Sequence, residues 1–209
     1  LVGMDASGLE LRMLAHYMND EAYTNEILNG DIHTANQLAA GLETRDQAKT
    51  FIYAFLYGAG DSKVGSIVGG TAKDGKRLKE KFLANTPALG ELRTRVGMAA
   101  TRGYVYGLDR RRITIRSEHA ALNSLLQSAG AIVMKKALCL LHEYAILWGI
   151  DFNIIGNLHD EIQTEVRQEK AEVFGRLATS CVEAAGLHYN LNCPLAGHYT
   201  VGNSWAETH

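Results

Sequence analysis

The fold class of this chain is decided by residues 152–166, which read FNIIGNLHDEIQTEV. The first half of this segment, up to Leu158, is rich in β-prone apolar residues, and the second half alternates in polarity from Ile162 onward. The pattern predicts a β-hairpin whose turn carries the adjacent carboxylates of Asp160 and Glu161. Acidic turns are common, so the pair alone is weak evidence of a site, although a cation between the two carboxylates would relieve their repulsion.

Strands are predicted at both ends of the chain and helices largely in the middle. A short apolar run ends at Asp5, and residues 195–205 form a candidate last strand. Thr44 and Gln47 match a capping box that begins a helix extending to about Tyr57. Because strands from distant segments must close one sheet, the sequence predicts an α+β fold.

Composition excludes several classes of protein. Of the 209 residues 46% are hydrophobic, which is enough for a sizeable core in one or two domains. There is no run of about 20 apolar residues and no basic head followed by an apolar signal region, so we expect no membrane partner and a cytoplasmic location. Cys139, Cys181 and Cys193 are odd in number and lack metal-site spacing, which predicts reduced, mostly buried thiols.

Charge is distributed unevenly along the chain. The net charge is −2, but residues 63–116 contain 13 Lys/Arg and 4 Asp/Glu, a local charge of +9 that leaves −11 for the remainder. A basic region joined to an acidic remainder is typical of a protein that binds phosphates with one part and cations with another. A solvated helix face followed by an ordinary basic loop would give the same count.

Asp5 marks a second candidate site, where the predicted first strand ends. The residues that follow it are ASGLELR, up to Arg12. A carboxylate on a turn from a strand into a helix is well placed to hold a divalent cation at the edge of a sheet. A structural interpretation is also open, because Ser7 and Glu10 match a capping box and Asp5 would then be a plain turn residue.

A third candidate site is a stripe of residues at a spacing of four on the predicted helix that follows Thr44. Its members are Arg45, Lys49, Tyr53 and Tyr57. The helix dipole already favours anions at the end where the two cations lie, so their presence indicates a bound phosphate. The tyrosines offer flat faces for a base or a sugar. The alternative is an amphipathic helix with core aromatics and solvated cations.

Together these segments supply what two-metal nucleotidyl transfer requires: carboxylates from separate strands, cations for a triphosphate and a stacking surface. The sequence here resembles the family A (pol I-like) DNA polymerases, and most closely the replicative polymerases of short-tailed bacteriophages. The three motifs that carry the resemblance, in the family's order, are residues 5–12, 45–58 and 159–161. Further similarity lies in residues 30–34, 119–130 and 202–206.

The resemblance implies a catalytic role for the acidic residues. Asp5 and Asp160 would hold two magnesium ions, with help from the backbone carbonyl of Ala6. Glu161 would be an auxiliary catalytic carboxylate, and His159 would brace the turn.

The resemblance also implies a set of dNTP-binding residues: His33, Arg45, Lys49, Tyr53, Tyr57 and Glu10. The cations and His33 would contact the triphosphate, and Glu10, packed with Tyr57, would exclude a ribose 2′-hydroxyl. Family members have Tyr or Phe at the position of Tyr53, and the Tyr form is the one that accepts dideoxynucleotides.

The implied DNA-binding residues are Arg116, His119, Asn123, Gln127 and His159. Asn123 and Gln127, one helical turn apart, would donate to minor-groove acceptors that all base pairs share. Some bacterial relatives have Arg where His119 stands. The stretch 93–108 is shorter than in the phage enzymes, which affects the expected tip of the fingers.

The resemblance predicts a polymerase palm, an antiparallel sheet backed by helices, from residues 1–13 and 116–209, with helical fingers inserted at residues 14–115. The thumb and the 3′–5′ exonuclease are absent from this chain, which begins four residues before Asp5. We therefore expect a C-terminal fragment or split subunit of a phage polymerase, completed by an N-terminal segment in cis or in trans.

The predicted function is template-directed DNA synthesis, with primer-template DNA, dNTPs and two Mg²⁺ ions as partners and cofactors, in the bacterial host cytoplasm if the chain is phage-encoded. The alternative is a nucleic-acid-binding subunit that is inactive without a partner chain carrying the thumb. A single-subunit RNA polymerase is disfavoured by Glu10, since an enzyme that uses ribonucleotides needs no gate against ribose.

Overall fold

The computed structural model describes all residues, Leu1–His209, and has the predicted α+β class. The strands are β1 (Val2–Ala6), β2 (Tyr104–Tyr106), β3 (Arg112–Thr114), β4 (Phe152–Leu158), β5 (Glu161–Val166) and β6 (Gly197–Val201). The helices are α1 (Leu9–Met18), α2 (Glu21–Asn29), α3 (Ile32–Ala40), α4 (Arg45–Leu56), α5 (Asp61–Ser66), α6 (Ala72–Asn85), α7 (Pro87–Ala100), α8 (Ala121–Leu147), α9 (Ala171–His188) and α10 (Trp205–Thr208). Single 3₁₀ turns, Glu118–Ala120 and Gln168–Lys170, precede α8 and α9.

The chain folds into two compact units. The first contains Leu1–Met13 and Gln127–His209, and the second contains Leu14–Leu126. Residues 116–126 therefore belong to the second unit, whereas the sequence prediction joined them to the palm segment. A physical reason is the backbone carbonyl of His119, which packs so closely on Gly58 of the second unit that an added Cβ there would lie 2.9 Å from the oxygen.

The first unit is built on a four-stranded antiparallel sheet in the order β4-β5-β1-β6. The segments that were predicted as strands from both ends of the sequence thus share one sheet. Strand β1 is central, and its side chains Val2, Met4 and Ala6 are buried. Helix α9 packs on β1 and β6, and its fully buried Phe174 ring lies 5.2 Å from that of Phe152 in β4. Burying each large apolar side chain contributes about 1.5–3 kcal/mol.

The first four residues of β5, Glu161 to Thr164, are all buried, although their sequence alternates in polarity. Helix α10 is the reason, because it covers the polar side. Gln163 accepts a hydrogen bond from the Thr208 hydroxyl at 2.9 Å, which satisfies its buried carbonyl oxygen. The approach of α10 needs a glycine in β1, since a Cβ at Gly3 would lie 2.3 Å from the Thr208 carbonyl oxygen.

The second unit contains helices α2 to α7 and the hairpin β2–β3. Its core is centred on Phe51, Phe55 and Phe82, and the Phe82 ring meets the other two edge to face at 5.2 and 5.4 Å. The predicted capping box at the start of α4 is confirmed, with the Gln47 amide donating to the Thr44 hydroxyl at 3.2 Å. Gly58 then ends the helical segment at φ +73°, a conformation that favours glycine.

One segment is long and apolar enough to cross a membrane by length and composition alone. It is Glu118–Leu147, with a mean hydropathy of 1.3 over an 18-residue window, and half of that window is buried inside the protein. This weak signal differs from the sequence expectation of no membrane-length apolar segment. A buried apolar face is also what the core helix of a soluble protein requires.

Candidate active site

Two distant acidic segments meet at one end of the sheet in the first unit. Asp5 lies near the end of β1 and is paired in register with Glu161, the first residue of β5. The Ala6 amide donates to the backbone carbonyl of Asp160 at 3.0 Å. Strand pairing therefore brings together the carboxylates that the sequence singled out separately.

The two-residue turn that carries Asp160 is conformationally demanding. His159, its first residue, has φ +58°. A positive φ at this position is what tight hairpin turns require, and a non-glycine residue adopts it at some energetic cost. Strained residues of this kind cluster at functional sites, so the conformation of His159 is consistent with a functional role for this turn.

The acidic groups influence each other electrostatically. The pKa of Asp5 is raised from its ordinary value, first by burial and then by the negative charges of Asp160 and Glu161. His198 and His209 partly oppose this effect. A cation between the Asp5 and Asp160 carboxylates would remove the repulsion that raises the Asp5 pKa.

Whether a metal ion fits at this end of the sheet depends on the chemistry of the acidic residues there. No group of three or more His, Cys, Asp or Glu side chains is arranged to hold a metal ion. Asp5 and Asp160, with the Ala6 carbonyl, would offer a partial set of hard oxygen ligands. Such a set suits Mg²⁺, which commonly takes one or two carboxylates and completes its octahedron with water and substrate phosphate oxygens.

Glu161 is held differently from Asp5 and Asp160. Its side chain is buried, and both carboxylate oxygens accept hydrogen bonds from the protein. The donors are Gln163, the Trp205 indole at 3.1 Å and the His209 ring at 2.6 Å. Burial opposes ionisation, but these hydrogen bonds outweigh it and hold the Glu161 pKa below its ordinary value. This carboxylate anchors the C-terminal segment in the structure.

A hydrogen-bonded chain connects α1, α8 and the acidic turn. His159 Nε2 donates to the Gln127 side-chain carbonyl at 2.8 Å, and the Gln127 amide donates to the Glu10 carboxylate. His159 Nδ1 lies 3.3 Å from an Asp160 oxygen. Gln127 was predicted to contact the DNA minor groove, and in this structure both ends of its amide are occupied within the protein.

The stripe on α4 lies on the polar face of the helix in the second unit. Arg45, Lys49 and Tyr57 are exposed and Tyr53 is half-buried, whereas the buried face consists of Ala48, Phe51, Ile52, Phe55 and Leu56. The stripe tyrosines are therefore not the core aromatics of this helix. The exposure of Tyr57 and the partial exposure of Tyr53 leave surface on both rings that a ligand could contact.

Arg45 has a partner that the sequence did not reveal. Its guanidinium contacts the Asp31 carboxylate twice, at 2.6 and 3.2 Å, and Asp31 also caps α3. The hydrogen bond from Arg45 holds the pKa of Asp31 well below its usual range. Asp31 is within a segment already noted for its family resemblance, but nothing in the 14-residue separation pointed to Arg45.

His33 lies beside this cation group. Its ring centroid is 6.3 Å from that of Tyr53, and its Nδ1 is buried without a hydrogen-bond partner. Burial, followed by the charge of Arg45, lowers the His33 pKa, with a smaller contribution from Lys49. A neutral imidazole with an unused polar atom suits a ligand-binding position.

The remaining predicted DNA-binding residues lie around the start of α8. Arg116 and His119 are exposed, and Asn123 is partly exposed in the first turns of the helix. The boundary between the units falls between Asn123 and Gln127. His209 and Trp205 were not predicted as neighbours of the acidic site, since only the hydrogen bonds to Glu161 reveal them.

The comparisons with known proteins agree with the motifs. The profile of DNA polymerase family A matches residues 1–207. The DNA-directed DNA polymerases of Enterobacteria phage T3 and Escherichia phage T7 are each 45% identical over 99% of this chain. DNA polymerase I of Streptococcus pneumoniae is 27% identical over 99% of it. The chain spans about a third of the length of the two phage relatives, 33% in each case.

A solved structure has the same fold. It is described as the POL domain of Pol1 from M. smegmatis in complex with DNA primer-template and dNTP, and its TM-score is 0.87. The match covers 99% of this chain and 40% of that one, at 22% identity. With the profile match over nearly every residue, these results establish that the chain belongs to DNA polymerase family A.

Proposed function

We propose that this chain is the polymerising core of a family A DNA polymerase, which extends a primer 3′-hydroxyl with dNTPs under the direction of a template. The observation that carries the proposal is the meeting of Asp5 and Asp160 at the end of the sheet, where the Ala6 amide bonds to the Asp160 carbonyl at 3.0 Å. The names of the phage relatives, DNA-directed DNA polymerases, support this reaction.

The partial oxygen ligand set fits two magnesium ions. Asp5, Asp160 and the Ala6 carbonyl would hold them, and phosphate oxygens of the substrate would complete the coordination. When bound, the ions would lower the pKa of the attacking hydroxyl and neutralise the triphosphate and leaving pyrophosphate. The pKa of Asp5, raised by burial and then by the negative charges of Asp160 and Glu161, supports this assignment.

The other residues of the chain would bind and select the nucleotide. Arg45, Lys49 and the neutral His33 would bind the triphosphate, and Tyr53 would contact the sugar or base. Glu10, whose side chain is 13% exposed and is held by Gln127, would exclude a ribose 2′-hydroxyl with Tyr57. The primer hydroxyl would then attack the α-phosphate in line, and pyrophosphate would leave.

The remaining DNA-binding roles follow the same resemblance. Arg116, His119 and Asn123 would contact the primer-template. Gln127 and His159 would reach DNA only if their present hydrogen bonds were exchanged, so we assign them first to holding Glu10 and the acidic turn. Glu161 would act by holding α10 in place, in addition to any auxiliary effect of its charge.

The chain would need further polymerase segments to act efficiently. It spans about a third of the phage relatives. We therefore propose that the first unit is the palm, that the second is the fingers, and that an N-terminal segment with a thumb and an exonuclease completes the enzyme in cis or in trans. A phage-encoded enzyme would work in the bacterial host cytoplasm.

The second candidate function is a nucleic-acid-binding subunit that does not polymerise alone. A polymerase core without a thumb would make few phosphate contacts, so it would hold a duplex weakly and in a strongly salt-dependent way. The two functions are compatible if the catalytic residues are present and activity needs a partner.

Primer extension with and without an N-terminal segment tests the proposal. The chain would be assayed alone and fused to the N-terminal two thirds of the phage T7 relative, each with Mg²⁺ or with EDTA. We expect dNTP incorporation by the fused form, little by the chain alone, and none in EDTA. A fused form that binds primer-template but incorporates no nucleotide would sink the enzymatic proposal, and a preference for rNTPs would revive the RNA polymerase interpretation.

A further inference from the structure

The hairpin β2–β3 of the second unit has an aromatic, cationic face that the proposed reaction does not use. Its strands pair Tyr104 with Thr114 and Tyr106 with Arg112. Side chains alternate across a strand, so these four residues share one face, while Val105 is buried on the other. Tyr106 is 49% exposed.

Two guanidinium groups approach one ring on this face. Arg112 lies 4.7 Å and Arg102 lies 5.6 Å from the centroid of the Tyr104 ring. The Tyr106 ring packs against Tyr104 edge to face, with centroids 5.4 Å apart. Cation–π contacts of this kind hold the arginines beside the aromatic rings. Arg112 also donates a hydrogen bond to Tyr106, and the other guanidinium N–H groups of the two arginines remain able to donate.

The charge around the hairpin is strongly positive. Residues 102–116 contain five arginines and one acidic residue, Asp109. Asp109 is already paired with Arg111 at 2.5 Å, so it does not neutralise the others. Arg102, Arg110 and Arg112 are exposed, and Arg110 lies in the loop at the tip of the hairpin.

Flat rings interleaved with guanidinium groups match one chemical class best. Phosphates pair with the arginines, and unpaired bases stack on tyrosine faces. A duplex offers phosphates, but its base faces are already stacked, so the exposed Tyr106 ring would add nothing. An acidic peptide likewise satisfies the arginines and leaves the ring unused.

We propose that the β2–β3 hairpin binds single-stranded DNA, and that its natural ligand is the unpaired part of the template strand. The identification of the ligand as template rests on the proposed polymerase function. Binding of a single strand by the hairpin does not, because it requires neither Asp160 nor a metal ion.

Fluorescence anisotropy with the full chain in EDTA separates the contribution of phosphate pairing from the contribution of base stacking. The probes are a labelled 20-nucleotide oligo(dT), a blunt 20-base-pair duplex and a decaglutamate peptide, each measured from 50 to 200 mM salt. Arg112→Gln and Arg110→Gln should each reduce the slope of log affinity against log salt by about 0.7 for the single strand. Tyr106→Leu should weaken oligo(dT) binding roughly fivefold or more with an unchanged slope.

Matched controls carry the same chemical changes elsewhere. Lys73→Gln removes one exposed cation from α6, and Tyr144→Leu removes a ring that is 41% exposed on α8. Both should bind oligo(dT) like the parent chain. Arg110→Gln leaves both cation–π pairs on Tyr104 intact, so it keeps the test informative if Arg112→Gln disturbs the hairpin.

Three results would overturn the hairpin proposal: hairpin variants indistinguishable from their controls, an equal loss on the blunt duplex, or a Tyr106→Leu effect of the same size on decaglutamate. Asp160→Asn distinguishes this proposal from the enzymatic one, since it should abolish synthesis in the fused form and leave oligo(dT) binding unchanged. Active synthesis by Asp160→Asn would contradict the catalytic assignment alone.

Discussion

The acidic end of the sheet and the stripe on α4 are built in different ways. The first draws Asp5 and Asp160 from segments far apart in sequence, and its neighbour Glu161 has both oxygens occupied by protein donors. The second lies on one helix, where a spacing of four places its residues on the polar face. Sheet pairing thus preorganises one region, and helix periodicity aligns the other. Substitutions at the acidic end of the sheet should affect the rate of nucleotide incorporation and the stability of the fold. Substitutions in the stripe on α4 should affect nucleotide selection.

The largest effect should come from the acidic turn. We expect Asp160→Asn to lower single-turnover incorporation in the complete assembly by roughly 10³-fold or more, because it removes transition-state charge stabilisation worth several kcal/mol. Asp151→Asn is the control, an exposed carboxylate just before β4 whose side chain is 86% exposed. A near-normal rate for Asp160→Asn would contradict a catalytic role for this turn.

Glu161→Gln tests whether the same region is also a structural anchor. The substitution replaces a buried carboxylate that accepts three hydrogen bonds, so the free energy of unfolding should fall by about 2 kcal/mol. Urea unfolding measures the change. Glu165→Gln, at an exposed position of the same strand, should stay close to the parent chain. If both variants unfold alike, Glu161 does not anchor α10.

Tyr53→Phe addresses selection by the stripe. On the family resemblance we expect the parent enzyme to incorporate dideoxynucleotides efficiently and the variant to discriminate against them roughly tenfold or more, the equivalent of one hydrogen bond. Competition between ddNTP and dNTP in primer extension gives the ratio. Tyr144→Phe supplies the matched loss of a hydroxyl. An unchanged ratio of ddNTP to dNTP incorporation in Tyr53→Phe would contradict a role of the Tyr53 hydroxyl in nucleotide selection.

The smallest effect concerns the Asp31–Arg45 pair, which is exposed. The folded-state pKa of Asp31 is lowered, so its stabilising contribution is present above the unfolded pKa, about 4, and is lost as pH falls toward the folded value. Asp31→Asn should therefore lower Tm slightly at pH 7, and the difference from the parent chain should shrink below about pH 4. Glu91→Gln, an exposed carboxylate on α7, should show no such pH-dependent difference. If the Tm difference between Asp31→Asn and the parent chain stayed constant from pH 7 to pH 2, the ion pair of Asp31 with Arg45 would not be the cause of that difference.

Local patterns predicted local features well. The capping box at Thr44 and Gln47, the hairpin of β4 and β5, and the burial of Cys181 and Cys193 all follow from short-range sequence, although Cys139 is exposed. Features that depend on distant partners were missed. The pairing of Arg45 with Asp31 and the hydrogen bonds from Trp205 and His209 to Glu161 join segments between which no periodicity operates.

The sequence by itself determined the α+β class, the acidic turn and the cationic stripe, because helix and strand periods and turn residues act over a few positions. Tertiary structure alone decided that β1 pairs with β5, so that Asp5 lies opposite Glu161. It also decided that α10 buries the polar side of β5 and that residues 116–126 fold with the second unit. The pairing of β1 with β5 joins segments that are far apart in sequence. The other two outcomes depend on tertiary contacts, such as those of Thr208 with Gln163 and of Gly58 with His119, which no local pattern records.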